Sequence, residues 1–219
     1  MERKREKRKS GVPDYTLGEE IFNAVSHGLG ALLGVAGLVL LLVRAQGALA
    51  VTTAALFGAS MILLYTMSCL YHALSPRTPG KRVLRVLDHC NVFLLVFGTY
   101  VPVSLLGVGG AAGWTLFGVV AFFTVLGVAL TAIDLERFQA AAVLCELGSG
   151  WSILLGLGAL LRSMGARGLL CLILGGVLYS IGAVLYALGA KKRWRHSVFH
   201  VFCLLGTFFH FWSVYQYLL

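Results

Sequence analysis

The stretch IFNAVSHGLGALLGVAGLVLLLV, residues 21–43, runs for 23 positions without an acid, a lysine or an arginine. About 20 consecutive apolar residues carry a helix across the hydrocarbon of a bilayer. The pattern recurs down the chain. Arg44 and Arg77 enclose a second uncharged stretch with its core at 49–74, and Asp88 and His89 open a third that reaches residue 106. A glycine-rich loop at 107–113 precedes a fourth, 114–133. Residues 139–161 form a fifth, interrupted only by Glu146, and 168–190 and 197–219 form a sixth and a seventh. The expected fold is an all-α integral membrane protein, a bundle of seven transmembrane helices over residues 20–219 behind a basic tail, 1–19.

Composition excludes a water-soluble globule. Of the 219 residues 58% are hydrophobic and 12% charged, with mean hydropathy +0.86, whereas soluble domains carry about 25% charged residues. The 27 glycines suit helices that pack closely in lipid, and Gly30 and Gly34 form a GxxxG face of that kind. The first span has a basic front, and Ala48-Leu49-Ala50 loosely fits a cleavage site. Its apolar run far exceeds the roughly 7–15 residues of a signal peptide, so it reads as a retained helix.

The net charge of +9 would suggest nucleic acid in a soluble protein. Here its distribution reads as topology. Arg3, Lys4, Arg5, Lys7, Arg8 and Lys9 precede the first span. Arg77, Lys81, Arg82 and Arg85 follow the second, Arg137 the fourth, and Lys191, Lys192, Arg193 and Arg195 the sixth. These account for 15 of the 18 basic residues, with only Arg44, Arg162 and Arg167 on the other side. The positive-inside rule then predicts a cytoplasmic N-terminus and an extracellular C-terminus. That orientation is the reverse of a G-protein-coupled receptor, and no lysine follows Lys192 to carry a retinal. The five cysteines, Cys69, Cys90, Cys145, Cys171 and Cys203, all fall inside spans. They predict small buried hydrophobes rather than a disulfide framework, although Cys69 and Cys203 lie close enough to histidines to be weighed as thiol ligands.

Ionisable groups inside a membrane are costly and mark pathways, metals or catalytic sites. His72 ends the second span, four residues after Ser68. Asp88 and His89 open the third, and His196 and His200 open the seventh. With the predicted topology these residues share one cytoplasmic layer, although His72 and His200 are 128 positions apart. On an ideal helix His196 and His200 lie about 40° and about 6 Å apart, a spacing that chelates one ion. His72 is the natural third ligand from another helix. Three protein ligands with one open position is the arrangement of a catalytic zinc site. The pair lacks the glutamate of HExxH, so a metalloprotease of that class is not supported. His27, His89 and His210, the last about 15 Å deeper than His200, read first as hydrogen-bonded packing residues.

The segments Glu20-Ile-Phe-Asn-Ala-Val-Ser-His-Gly28, Ser68-Cys-Leu-Tyr-His72 with Leu87-Asp88-His89, and His196-Ser-Val-Phe-His200 through His210-Phe211 resemble the bacterial hemolysin III proteins. That family lies within the progestin and adipoQ receptor superfamily of seven-helix membrane proteins, and the resemblance runs from Glu20 to Tyr217. It implies a zinc ion held by His72, His196 and His200, with Asp88 contacting the zinc-bound water and Ser68 beside it. It also suggests distant kinship with membrane ceramidases, which share a Ser, Asp and three-His constellation. Against the adiponectin-receptor branch, this chain is expected to lack a long cytoplasmic N-terminal domain.

Such a ligand set predicts hydrolysis of a lipid amide or ester in the cytoplasmic membrane, with Asp88 as general base or water-orienting group and Ser68 bonding a substrate oxygen. Plainer readings stand beside these. Asp88 near a helix N-terminus would offset unpaired N–H groups, and Ser68 would bond back to its own helix. Glu146, about 10 Å into its helix, reads as a proton gate, a hydrogen-bonded helix neighbour or a neutral buried acid. The tail 3–9 is expected to orient the chain and touch anionic lipid heads. Membrane lipids are the expected partners, with no nucleic acid and no evident soluble protein partner. The main alternative is a non-enzymatic sensor in which zinc staples the second and seventh helices. A cytolytic hemolysin is disfavoured by uniformly apolar spans, and a transporter by a single buried carboxylate and no evident inverted repeat. The very short outer loops disfavour a receptor for an extracellular protein.

Overall fold

A computed structural model describes residues 12–189 and 193–219; the basic residues 3–9 and 191–192 lie outside the described residues. Every regular element described is helical. In chain order they are α1 (Leu17–Arg44), α2 (Ala48–Ala73), α3 (Pro79–Pro102), α4 (Gly110–Asp134), α5 (Gln139–Trp151), α6 (Leu157–Gly189) and α7 (Arg195–Tyr217). A π-helical turn, Val103–Val108, extends α3, and a 3-10 turn, Ser152–Gly156, joins α5 to α6. By length and apolarity six segments among the described residues are candidate membrane spans, the fifth of which, Gln139–Ala187, is 49 residues long.

That fifth segment is not one rod. As a single helix it would reach about 74 Å, more than twice the hydrocarbon thickness. Its backbone leaves helical geometry at Gly165, where φ is +66°. Glycine tolerates this conformation because it has no Cβ. The Trp151 indole donates to the Ser180 hydroxyl at 3.0 Å, so residues equidistant from Gly165 lie side by side. The chain therefore folds back there.

Two expected boundaries move. The third helix begins at Pro79, just after Thr78, and not at Asp88, because proline at the first helical position supplies the right φ and lacks only an N–H that would be unpaired anyway. The seven-residue glycine loop shrinks to a turn at Gly109 and Gly110, with φ of +68° and +56°. The helical path of α3 continues to Val108.

Consecutive helices pack against each other, and α7 returns to α1 to close the bundle. Its large hydrophobic side chains divide between an inner core around Leu41, Phe57, Leu64 and Tyr65 and an outer surface of residues such as Leu29, Leu32 and Val39. That outer surface suits lipid. Of the apolar windows, α3 with its extension is 61% buried and α1 28%, so α3 is the central helix. Lipid offers helices no hydrophobic drive to associate, and close backbone approach must supply the contact. A Cβ at Gly30 would lie 2.9 Å from Cγ of Tyr65 and 2.8 Å from Leu204, and one at Gly34 would lie 3.3 Å from the backbone nitrogen of Ile62. The GxxxG face thus sets α1 onto α2, as its spacing predicts. Gly30→Ala is expected to destabilise the detergent-solubilised protein by about 1–3 kcal/mol through overpacking, whereas Gly118→Ala, which meets nothing within 4 Å, leaves the thermal midpoint unchanged or higher. Equal midpoints for the two variants would refute this packing role.

Candidate metal centre

α1 begins with a capping box. The Thr16 hydroxyl accepts from the Glu19 N–H at 3.3 Å, and the Thr16 N–H donates to the Glu19 carboxylate at 2.8 Å. This fixes Glu19 and Glu20 at the rim of the bundle, where both are buried. Glu19 also accepts the Trp194 backbone N–H at 2.6 Å, which ties the start of α1 to the start of α7. Trp194 has φ of +64°, unusual for a residue with a Cβ, and this bond helps hold it there.

Glu20 faces the other way. One carboxylate oxygen lies 2.7 Å from Nδ1 of His72, and the other accepts from the Lys81 ammonium at 2.5 Å. Lys81 also donates to the Leu74 carbonyl at 2.8 Å, and its side chain is 0% exposed. Its place in the charge count therefore hides its role: it is an internal cation that balances Glu20. The carboxylate can only accept, so Nδ1 of His72 carries the ring proton and Nε2 keeps its lone pair.

That lone pair points at α7. Nε2 of His196 lies 3.2 Å from Nε2 of His72, and Nε2 of His200 lies 3.1 Å from Nε2 of His196. All three side chains are buried, and their ligand atoms fall within 4.8 Å of one another, a group that could hold a metal ion. The donor chemistry fits: imidazole nitrogens converge on one point, and a carboxylate on the far nitrogen of one ring is the usual outer partner of a metal-bound histidine. No cysteine joins this group, so the thiols of Cys69 and Cys203 are not among its donors. Tyr15, just before α1, stacks on His196 with centroids 5.0 Å apart, and burial pushes its phenol pKa up. The imidazole of His27 stacks on His200 at 3.6 Å.

The centre opens on a cavity lined by His27, Ser68, Asp88, His196 and His200 at one end. Leu95, Val96, Ile153 and Ile173 make its shaft apolar, and His210 lines it deeper along α7. Ser68 is 1% exposed, and its hydroxyl has no hydrogen-bond partner. The back-bonded reading of Ser68 is thereby overturned. Ser60, two turns earlier on the same helix, does bond back, to the Phe57 carbonyl at 2.7 Å. Asp88 lies nine residues after Pro79, beyond the first turn where a carboxylate offsets unpaired N–H groups, so that reading also fails. One of its carboxylate oxygens lies 3.7 Å from Nδ1 of His89. His89 is a packing residue as expected: Nδ1 donates to the Arg85 carbonyl at 2.8 Å, and Nε2 accepts from the Tyr186 hydroxyl at 2.8 Å. Glu146, half-buried, lines the cavity from α5.

Residues 15–211 match the family model described as Haemolysin-III related. Hemolysin-3 of Bacillus cereus is 35% identical over 205 residues, covering 92% of each chain. The Hemolysin-3 homolog of Bacillus subtilis (strain 168) is 33% identical over 203 residues, covering 91% of this chain and 94% of its own. The adiponectin receptor protein of Drosophila melanogaster is a more distant relative, 25% identical over 195 residues, covering 72% of this chain and 41% of its own. With its apolar helices and a match that spans all of them except the last turns of α7, the chain is a multi-pass membrane protein that belongs to the haemolysin-III related family.

Proposed function

We propose that the protein is a zinc-dependent hydrolase of a lipid amide or ester in the cytoplasmic membrane. The observation that carries this reading is the junction of a three-imidazole centre with the polar end of a long apolar cavity. His72, His196 and His200 hold the metal. Borderline-soft zinc suits imidazole ligands, and three of them leave one position open, which favours a catalytic over a structural ion. When bound, zinc supplies a Lewis acid that lowers the pKa of water and polarises a carbonyl.

The remaining work falls to this chain's own residues. Asp88, at the cavity wall, orients the attacking water towards the carbonyl carbon, takes up its proton, and returns that proton to the amine or alcohol that departs as the C–N or C–O bond breaks. The Ser68 hydroxyl, which has no partner in its own helix, donates to the substrate's carbonyl oxygen. The apolar shaft takes the acyl chain and keeps bulk water from it. Glu20 acts through His72: it holds the proton on Nδ1 and so keeps Nε2 available as a ligand, and Lys81 holds Glu20 in place.

The chain crosses the membrane seven times, with the fold-back at Gly165 as an outer hairpin between the fifth and sixth crossings and the metal centre in the cytoplasmic layer. Lysine and arginine placement supports this orientation, and the Trp151–Ser180 bond supports the count. A bacillary relative bears the name Hemolysin-3; among the described residues no feature speaks for a cytolytic role of this chain.

Three outcomes check this reading. His196→Ala is expected to lose the metal, whereas Asp88→Asn keeps it and lowers turnover of a ceramide or fatty acyl amide by about 10²–10⁴-fold, the usual contribution of a general base. A metal-loaded wild type that cleaves no lipid amide or ester favours a zinc-stapled sensor. Glu20→Gln should weaken zinc affinity by about 10–100-fold, as loss of an outer-shell partner does, measured by competition with a chromophoric chelator; unchanged affinity removes Glu20 from the site. In a cysteine-free background, Ser163→Cys should react with a membrane-impermeant maleimide added outside intact cells, and Arg137→Cys should not. The opposite pattern inverts the topology.

A further inference from the structure

His210 lies ten residues beyond His200 on α7, hence about 15 Å further along the helix axis, and it lines the same cavity. Its Nε2 lies 3.1 Å from the Leu172 carbonyl. A carbonyl only accepts, so Nε2 carries the ring proton and Nδ1 is a bare acceptor. Nδ1 is buried and has no hydrogen-bond partner. The ring is seated firmly: a Cβ at Gly175 would fall 2.2 Å from Cδ2 and 2.4 Å from Nε2. That edge therefore faces α6, and Nδ1, on the opposite edge, turns away from it. Tyr179 packs edge-on at 5.0 Å, but its hydroxyl is engaged with Thr207 at 2.6 Å.

An unpartnered buried acceptor is expensive, and native proteins rarely keep one without a use. Among the described cavity-lining residues, buried side-chain nitrogens or oxygens without a partner occur on His27, Ser68, His200 and His210. The first three cluster at the metal end. The hydroxyls of Thr99, Tyr100 and Ser180, which also line the cavity, all donate to backbone carbonyls. Beyond the metal end, and apart from the Glu146 carboxylate on the α5 wall, His210 is thus the described cavity-lining side chain with a buried nitrogen or oxygen left unpaired.

We propose that His210 is a second recognition point, and that the cavity selects an amphiphile with a hydroxyl partway down its chain. The O–H donates to Nδ1 of His210 while the polar head sits at the metal centre. At about 1.3 Å of advance per carbon, 15 Å corresponds to a hydroxyl about 12 carbons from the head. Against the aliphatic walls of the shaft the same hydroxyl would be buried without a partner, which costs binding energy. This inference rests on the acyl-chain reading of the cavity.

The test is displacement of radiolabelled octadecanoic acid, a product-class ligand that hydrolysis does not consume, from the full-length protein in lipid nanodiscs. 12-Hydroxyoctadecanoic acid is expected to displace it at about three- to tenfold lower concentration than unlabelled octadecanoic acid does, the span of one net hydrogen bond. 6-Hydroxyoctadecanoic acid, whose hydroxyl stops short of His210, should show no gain that depends on His210. His210→Phe should abolish the advantage and retain binding of octadecanoic acid; if that variant does not fold, the positional comparison on wild type still decides. Octadecanoic acid that binds equally well with or without the 12-hydroxyl overturns the role of His210 alone. Failure of octadecanoic acid to bind at all overturns the acyl-chain reading and this inference with it.

Discussion

Two consecutive buried carboxylates at the start of α1 are the constraint on which the site depends. A carboxylate taken out of water must be paired and hydrogen-bonded, or it costs several kcal/mol. Glu20 meets that demand with Lys81 from α3 and His72 from α2. Glu19 meets it with the backbone of Trp194 at the start of α7. The two neighbours therefore draw the ends of α2, α3 and α7 to one place, and the three imidazoles converge where those ends meet. The arrangement is reciprocal: the same carboxylate that clamps the helices also sets the tautomer of His72.

Around that clamp, packing shapes the cavity. Close glycine contacts bring α1 onto α2 and seat the His210 ring against α6. Proline and glycine at the far end of α3 and the 3-10 turn after α5 loosen the helices where the shaft runs deepest, and the Tyr100 hydroxyl spans that region by donating to Gly150 and accepting from the Ile153 N–H. A metal centre at one end and an apolar shaft behind it suit a ligand with a polar head and a long tail. A soluble enzyme would build such a shaft from a hydrophobic core. A membrane bundle can leave its aliphatic residues facing lipid and still line an interior with them.

The histidine trio was legible because two independent signals met on it: i, i+4 spacing within one helix, and a shared depth that charge placement predicts. The helical, membrane-spanning class followed from uncharged run lengths alone. Glu20, Lys81 and Tyr15 were not legible as site residues, because their partners lie far off in sequence: Glu20 pairs with residues 52 and 61 positions away. A single sequence carries no signal for such pairs, and counting Lys81 among topology charges concealed it. The alternative reading of Asp88 as a helix-terminus residue fails for a local reason. Hydropathy marks where an apolar run begins, whereas the helix begins at its proline cap, nine residues earlier. The glycine loop failed similarly, since composition shows that a reversal occurs and not how few residues it needs.

The central claim is that the three converging imidazoles form a zinc site. It is tested most directly by elemental analysis of the purified wild-type protein, folded in detergent and washed free of loosely bound ions. About one zinc per chain, restored to that level after chelation and re-addition, is the predicted result. A folded protein that neither retains zinc nor takes it up again would contradict the claim.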